Sequence, residues 1–176
     1  MNKKLMMAMV AAGSVLTMTN AFAAAGTVNF NGNILDSACD VDVASQNQVV
    51  VLGDYYKTEF PTTGARTAAT QFNIILKNCP VTVTNAKVRF DGTPDLTNAS
   101  LLAIDTSVAG AATGVAINLM TADKADLPLH GSNSYTYALS STADNTLSFY
   151  AQYISTAASV TAGPANSVAN FSVVYN

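Results

Sequence analysis

Two cysteines, one histidine and two close pairs of aspartates are the side chains of this 176-residue sequence that invite a chemical reading. Cys39 and Cys79 could bind a metal or form one disulfide. A metal centre would need further ligands beside two thiolates, and the chain has a single histidine, His130, so the metal reading is disfavoured. In an oxidising compartment a pair of this kind forms a bridge. Closing a loop of about 40 residues stabilises a fold by roughly 4 kcal/mol in the chain-entropy picture. His130 lies in Leu129-His130-Gly131-Ser132, the setting of a turn residue rather than of a base or ligand. Asp40/Asp42 and Asp123/Asp126 fall in strand-edge or turn contexts. Acid–base work requires a concave pocket that perturbs such groups, and solvated carboxylates are the expectation. No G-x-S-x-G, phosphate loop, calcium loop or Cys-x-x-Cys is present. Tyr135, Tyr137, Phe149, Tyr150 and Tyr153 read as core and surface of strands rather than as a carbohydrate platform. The sequence therefore predicts no catalytic residue, no metal site, no cofactor and no small-molecule substrate.

The first residues point to export. Lys3 and Lys4 precede an apolar run from Leu5 to Leu16, and small residues lead to Ala21-Phe22-Ala23. This is the pattern of a signal peptide over 1–23 with an A-x-A cleavage site. The run is short of the roughly 20 residues that span a bilayer. Cleavage removes two lysines and takes the formal net charge from −3 to −5. The remaining Lys57, Arg66, Lys77, Lys87, Arg89 and Lys124 are scattered, which excludes a basic stripe for nucleic acid. Charged residues make up only 11% of the chain, against a usual quarter. A surface of Asn, Thr, Ser and Gln repels its own copies weakly.

The elements that must carry these residues are strands. Short segments rich in Val, Ile, Thr, Tyr and Phe alternate with period two. They are expected near 27–35, 48–52, 70–77, 86–90, 115–120, 135–139, 146–154 and 167–175. Turn residues separate them at Pro61–Gly64, Asp91–Pro94, His130–Asn133 and Gly163-Pro164. One short helical turn is expected within Asp95–Leu102. Many short strands around one core predict an antiparallel sandwich of immunoglobulin-like type.

The two end segments carry the functional argument. In the first, Gly26, Val28, Phe30, Gly32 and Ile34 share one face, with Thr27 and three asparagines on the other. It is rich in Asn and Gly, poor strand formers, and needs a groove to lie in. Gly32 suits a shallow or close-packed point there, or a β-bulge. In the last segment Ala169, Phe171, Val173 and Tyr175 share one face before Asn176. A sandwich ending on a core-facing strand needs a neighbour along that strand's edge. Either the chain's own first strand or another molecule supplies it.

These ends and the cysteine pair resemble the major pilin subunits of chaperone–usher, type-1-like fimbriae. The resemblance rests on Ala24-Ala25-Gly26-Thr27-Val28-Asn29-Phe30-Asn31-Gly32 running through Ile34 to Cys39, and on Asn78-Cys79-Pro80. It rests also on Thr146–Tyr153 as a penultimate strand, on Tyr175, and on Gly163 fourteen positions from the terminus. It covers the whole chain after the signal. It implies an incomplete immunoglobulin-like β-sandwich completed by a donated strand, with a donor extension at 24–36 and a pilin domain at 37–176. Gly26, Val28, Phe30, Gly32 and Ile34 would face inward from the donor. Gly163, Ala169, Phe171, Val173, Tyr175 and Asn176 would belong to the acceptor groove and C-terminal strand, the Asn176 carboxylate meeting basic residues of the chaperone. The implied partners are copies of itself or related pilins, a periplasmic chaperone and an outer-membrane usher. The implied destination is a fimbrium at the cell surface, reached through the periplasm. Three rivals stand beside this rod subunit. The segment Ala24–Cys39 leaves no room for the receptor-binding domain of a tip adhesin. A minor adaptor or anchoring subunit at the tip or base is open. A periplasmic enzyme or carrier on the same fold lacks a catalytic constellation.

Overall fold

The computed structural model describes residues 26–32, 34, 38–131 and 135–175. The signal peptide expected over 1–23, the turn residues Ser132 and Asn133, and Asn176 lie outside them. The chain divides into two units, 1–34 and 35–176.

In the second unit β1 (Asp40–Val41), β2 (Thr70–Lys77), β7 (Asn145–Ser155), β5 (Val115–Met120) and β4 (Leu102–Ala103) form a sheet in that order. β6 (Tyr137–Ala138), β3 (Asn85–Gly92) and β8 (Ala169–Tyr175) form a second. All pairings are antiparallel. Period-two patterning turns Ile74, Leu76, Leu147 and Phe149 of the first sheet inward to be buried, with Ala86, Val88 and Phe90 of β3 in the same core. The register pairs Phe72 with Phe149 and Phe90 with Phe171. Phe90 meets Phe149 with ring centroids 5.3 Å apart and planes 83° apart, an edge-to-face geometry that adds about 0.5–1.5 kcal/mol beyond area burial.

The Cys39–Cys79 disulfide forms, as the sequence predicts, next to the β1–β2 pairing of Asp40 with Lys77. Just beyond, Asp42 caps the one-turn helix α1 (Val43–Gln46) by accepting from the Ala44 N–H at 2.9 Å.

Several expected elements differ. The segment 27–35 forms no strand in its described residues, because a strand is made by its neighbour's hydrogen bonds and Asn and Gly add no intrinsic preference. Residues 48–52 join no ladder among the described residues. The helical turn expected within 95–102 is absent: the Asp95 carboxylate accepts the N–H groups of Thr97 and Asn98, and the Asn98 side chain takes that of Ser100. Such side chains divert backbone donors from helical bonding. Leu102 instead opens β4. The turn expected at Asp91–Pro94 is also displaced, because β3 continues through Gly92, which pairs with Ala169. The strand expected at 135–139 is reduced to Tyr137–Ala138.

Candidate functional site: an apolar groove beside the last strand

β8 pairs with β3 alone among the described residues and leaves its other edge without a strand. Its inward residues Ala169, Phe171, Val173 and Tyr175 are only half-buried, while Asn170, Ser172 and Val174 are exposed. They pack against the core without being enclosed by it. An open edge presents unpaired backbone donors and acceptors in a row.

Next to this edge lies a groove of about 980 Å³. Two segments rim it, 45–55 and 160–171, and its floor is core: Phe72, Phe90, Ile117, Leu119, Ala151 and Tyr153. In the first rim Val50 and Leu52 are half-buried while Val49 and Val51 are exposed, a strand-like alternation with no ladder among the described residues. The second rim is strapped to β4 and to the chain that follows it. Ala112 donates to the Pro164 carbonyl at 2.9 Å, Asp105 donates to the Asn166 carbonyl at 2.8 Å, and the Ser167 hydroxyl donates to the Ala103 carbonyl at 2.6 Å. Gly163 sits where this strap presses closest. A Cβ there would fall against the Gly110 carbonyl oxygen and within 2.8 Å of the Ala112 nitrogen, so only glycine fits.

Between the rims stands Tyr153. Its ring meets Tyr55 of the first rim edge-on, centroids 6.1 Å apart. Its hydroxyl donates to the Ala165 carbonyl of the second at 2.9 Å. Burial, then the charge of Asp54, raises the pKa of that hydroxyl and keeps it a donor.

Of the expected groove residues, Gly163, Ala169 and Phe171 line the cavity. Val173 and Tyr175 share the face of Phe171 but pair opposite Val88 and Ala86, beyond the lining. Asn176 lies outside the described residues. In the first unit Val28, Phe30 and Ile34 expose 76%, 92% and 100% of their surface, and a Cβ at Gly26 or Gly32 would meet nothing. Sequence reasoning missed the rim 45–55 as part of the site. Its run Val49-Val50-Val51-Leu52 is apolar at every position, so alternation could not reveal which face points in. From its neighbours Tyr153 reads as core or surface of a strand, and its place between the rims depends on contacts that no local pattern encodes.

The carboxylates expected to be solvated have structural partners. Asp42 meets the Lys77 ammonium at 2.7 Å. His130, at positive φ as a turn residue, sets its two ring nitrogens 2.8 Å from Asp91 Oδ1 and the Gly92 carbonyl. Asp126 accepts both terminal nitrogens of Arg66 at 3.0 Å and the Asn118 amide at 2.8 Å. These contacts hold the carboxyls of Asp42, Asp91 and Asp126 below the ordinary range, chiefly through the hydrogen bonds from Lys77, His130 and Arg66 respectively. A carboxyl with a depressed folded pKa adds stability above its unfolded value, and that stability is lost as pH falls through the folded pKa. Urea midpoints should therefore fall as pH drops below about 5 and on through the lowered folded values, and Asp126→Asn should flatten part of that slope. The pair is substantially exposed, which limits its share to about 1 kcal/mol or less. A midpoint independent of pH would contradict the assignment.

A two-sheet sandwich whose last strand faces an open apolar groove, with a bridged cysteine pair beside the end of that strand, where the Tyr175 hydroxyl donates to the Cys39 carbonyl, is the architecture of a pilin subunit short of one strand. The comparisons agree. A family profile described as "Fimbrial protein" matches residues 28–176. The S-fimbrial protein subunit SfaG of Escherichia coli is 37% identical over 164 residues, covering 93% of this chain and 91% of that protein. A Burkholderia pseudomallei antigen and type I fimbria protein of known structure is 38% identical with a TM-score of 0.60, covering 85% of this chain and 97% of its own. A subunit from a chaperone–usher pilus structure that addresses rod uncoiling is 27% identical with a TM-score of 0.66, covering 86% and 95%. The chain belongs to the fimbrial protein family of chaperone–usher pili. It has their incomplete immunoglobulin-like fold, and it is a structural fimbrial subunit rather than an enzyme.

Proposed function

We propose that this chain is the major subunit of a fimbrial rod and polymerises by donor-strand exchange. The observation that carries the reading is the groove of about 980 Å³ along the free edge of β8. On this reading 1–23 is a signal peptide, 24–36 the donor extension and 37–176 the acceptor domain. A periplasmic chaperone fills the groove of the new subunit. At the outer-membrane usher, residues Gly26, Val28, Phe30, Gly32 and Ile34 of the next copy replace it. The filament then stands at the cell surface and supports adhesion. The groove suits such an occupant on two counts. Its aromatic and aliphatic floor takes alternate apolar side chains, each contributing about 1.5–3 kcal/mol when buried. The free edge of β8 offers main-chain hydrogen bonds, about 0.5–1.5 kcal/mol each, net. Strand addition of this kind draws affinity from backbone bonds and specificity from pockets.

Adding a synthetic peptide of sequence Gly26–Leu35 to the chain starting at Ala24 should raise its melting temperature by on the order of 10 °C, since about 4 °C accompanies each kcal/mol in a domain of roughly this size. A stable chain indifferent to the peptide would show strand exchange to be wrong. A minor adaptor or anchoring subunit would use the same groove. Immunogold labelling along the filament, rather than at its tip or base alone, is the expected result for a rod subunit.

A further inference from the structure

We infer that Tyr153 is a positioning residue that clamps the groove from its floor, fixing the spacing of the two rims at one end and so the lifetime of whatever strand occupies that end. The inference rests on the donor-strand reading and names a determinant within it. Tyr153 lies in β7, in register with Ile117 of β5, and its backbone is anchored to residue 67 from both sides. Its N–H donates to the Thr67 hydroxyl at 3.0 Å and its carbonyl accepts from the Thr67 N–H at 3.0 Å. A fixed base therefore carries two outward contacts, the Tyr55 ring on one rim and the Ala165 carbonyl on the other. Among the described residues no backbone hydrogen bond ties 47–55 to a neighbouring strand, so that rim is held by packing, the Tyr55–Tyr153 contact and Leu52 against the core among it. Two inward positions back along β7, Phe149 belongs to the cluster with Phe72 and Phe90, and Ala151 between them leaves space over the floor. The groove thus has a rigid aromatic end and an end where one tyrosine bridges the strapped second rim to a first rim that joins no ladder among the described residues. Preorganising a groove lowers the ordering cost of filling it, and changes of this kind act mostly on dissociation.

The test uses the chain starting at Ala24 loaded with a fluorescent peptide of sequence Gly26–Leu35. Tyr153→Phe keeps the ring and removes the hydroxyl. Dissociation should quicken by about three- to tenfold, the span of one net hydrogen bond. Tyr150→Phe, which alters a hydroxyl bonded to Gln71 on the other face of the same strand, should leave it unchanged. Repeating the measurement with Val28→Ala and Ile34→Ala peptides should show the Tyr153 effect coupled to one of these positions and not to the other. Unchanged dissociation for Tyr153→Phe overturns the clamp. So does equal quickening with every peptide, which is the mark of general loosening. A wild-type chain that never binds the peptide overturns the donor-strand reading and the clamp with it, whereas binding without a Tyr153 effect overturns the clamp alone.

Discussion

Phe30→Asp in the donor segment should abolish incorporation of the subunit as a donor, while Asn31→Asp next to it should assemble nearly as the wild type does. The two substitutions differ in face, by the period of two that places alternate side chains on opposite sides of an extended strand. Phe30 is 92% exposed in the free segment, so burying it in a partner's groove removes almost its whole side chain from water. That burial is worth about 1.5–3 kcal/mol. Aspartate forfeits it and places a carboxylate in a groove whose floor includes Phe72 and Phe90, where an unpaired charge costs several kcal/mol. Together these reach roughly 5 kcal/mol or more, a weakening of at least about a thousandfold. Asn31 belongs to the opposite face and keeps its side chain in water on this reading, so a charge there costs little. Fimbriae counted by electron microscopy on cells expressing each variant measure the outcome. The acceptor groove is untouched by either change, and peptide binding by the Phe30→Asp chain should match wild type. Normal filaments from Phe30→Asp would refute the inward face assigned to Gly26, Val28, Phe30, Gly32 and Ile34.

How far the molecule can be read from its residues depends on where each signal lies. Segments rich in strand formers and bounded by turn residues were legible: β2 and β5 run over the residues that the sequence predicts, and β7 and β8 differ only at their ends. The Cys39–Cys79 bridge was legible because export and a lone pair of cysteines leave one economical pairing. The half-buried face of β8 was also legible, since Ala169, Phe171, Val173 and Tyr175 alternate with more exposed neighbours. The groove itself was not. Its first rim carries an apolar run, Val49–Leu52, with no alternation to show which face points in, and its second is held by carbonyl acceptors and by a glycine whose need for close approach is invisible until the Gly110–Ala112 backbone lies against it. Local side-chain capture by Asp95 and Asn98 defeated the helical reading of that segment, a competition between side chain and backbone that composition alone does not decide. The aspartates show the same limit. Asp42 and Asp126 keep part of their side chains in water, but the fold brings Lys77 and Arg66 to them from distant parts of the chain.

Gly163→Ala should be the most damaging single methyl group that can be added to the groove. The new Cβ would overlap the Gly110 carbonyl oxygen and lie 2.8 Å from the Ala112 nitrogen and 2.9 Å from the Ala111 carbonyl carbon. All three are backbone atoms, so no side chain can rotate away and the strap itself must move. Overpacking a well-packed site costs about 1–3 kcal/mol when side chains can adjust, and a clash with three backbone atoms of the Gly110–Ala112 segment belongs at or above the top of that range. Displacing the strap strains the bonds from Ala112 to Pro164 and from Asp105 to Asn166, which define the second rim, so stability and groove shape should fail together. Gly64→Ala is the control: that glycine has φ +87° with nothing within 4 Å of an added Cβ, so it carries backbone strain of about 1 kcal/mol and lies outside the groove lining. In urea the Gly64→Ala midpoint should fall slightly and peptide binding should persist. The Gly163→Ala midpoint should fall by at least twice as much, with peptide affinity reduced on the order of tenfold or more. If Gly163→Ala matched Gly64→Ala in both measurements, the strap would be yielding freely, and the rim at 160–171 would not be the fixed wall that the close approach at Gly163 demands.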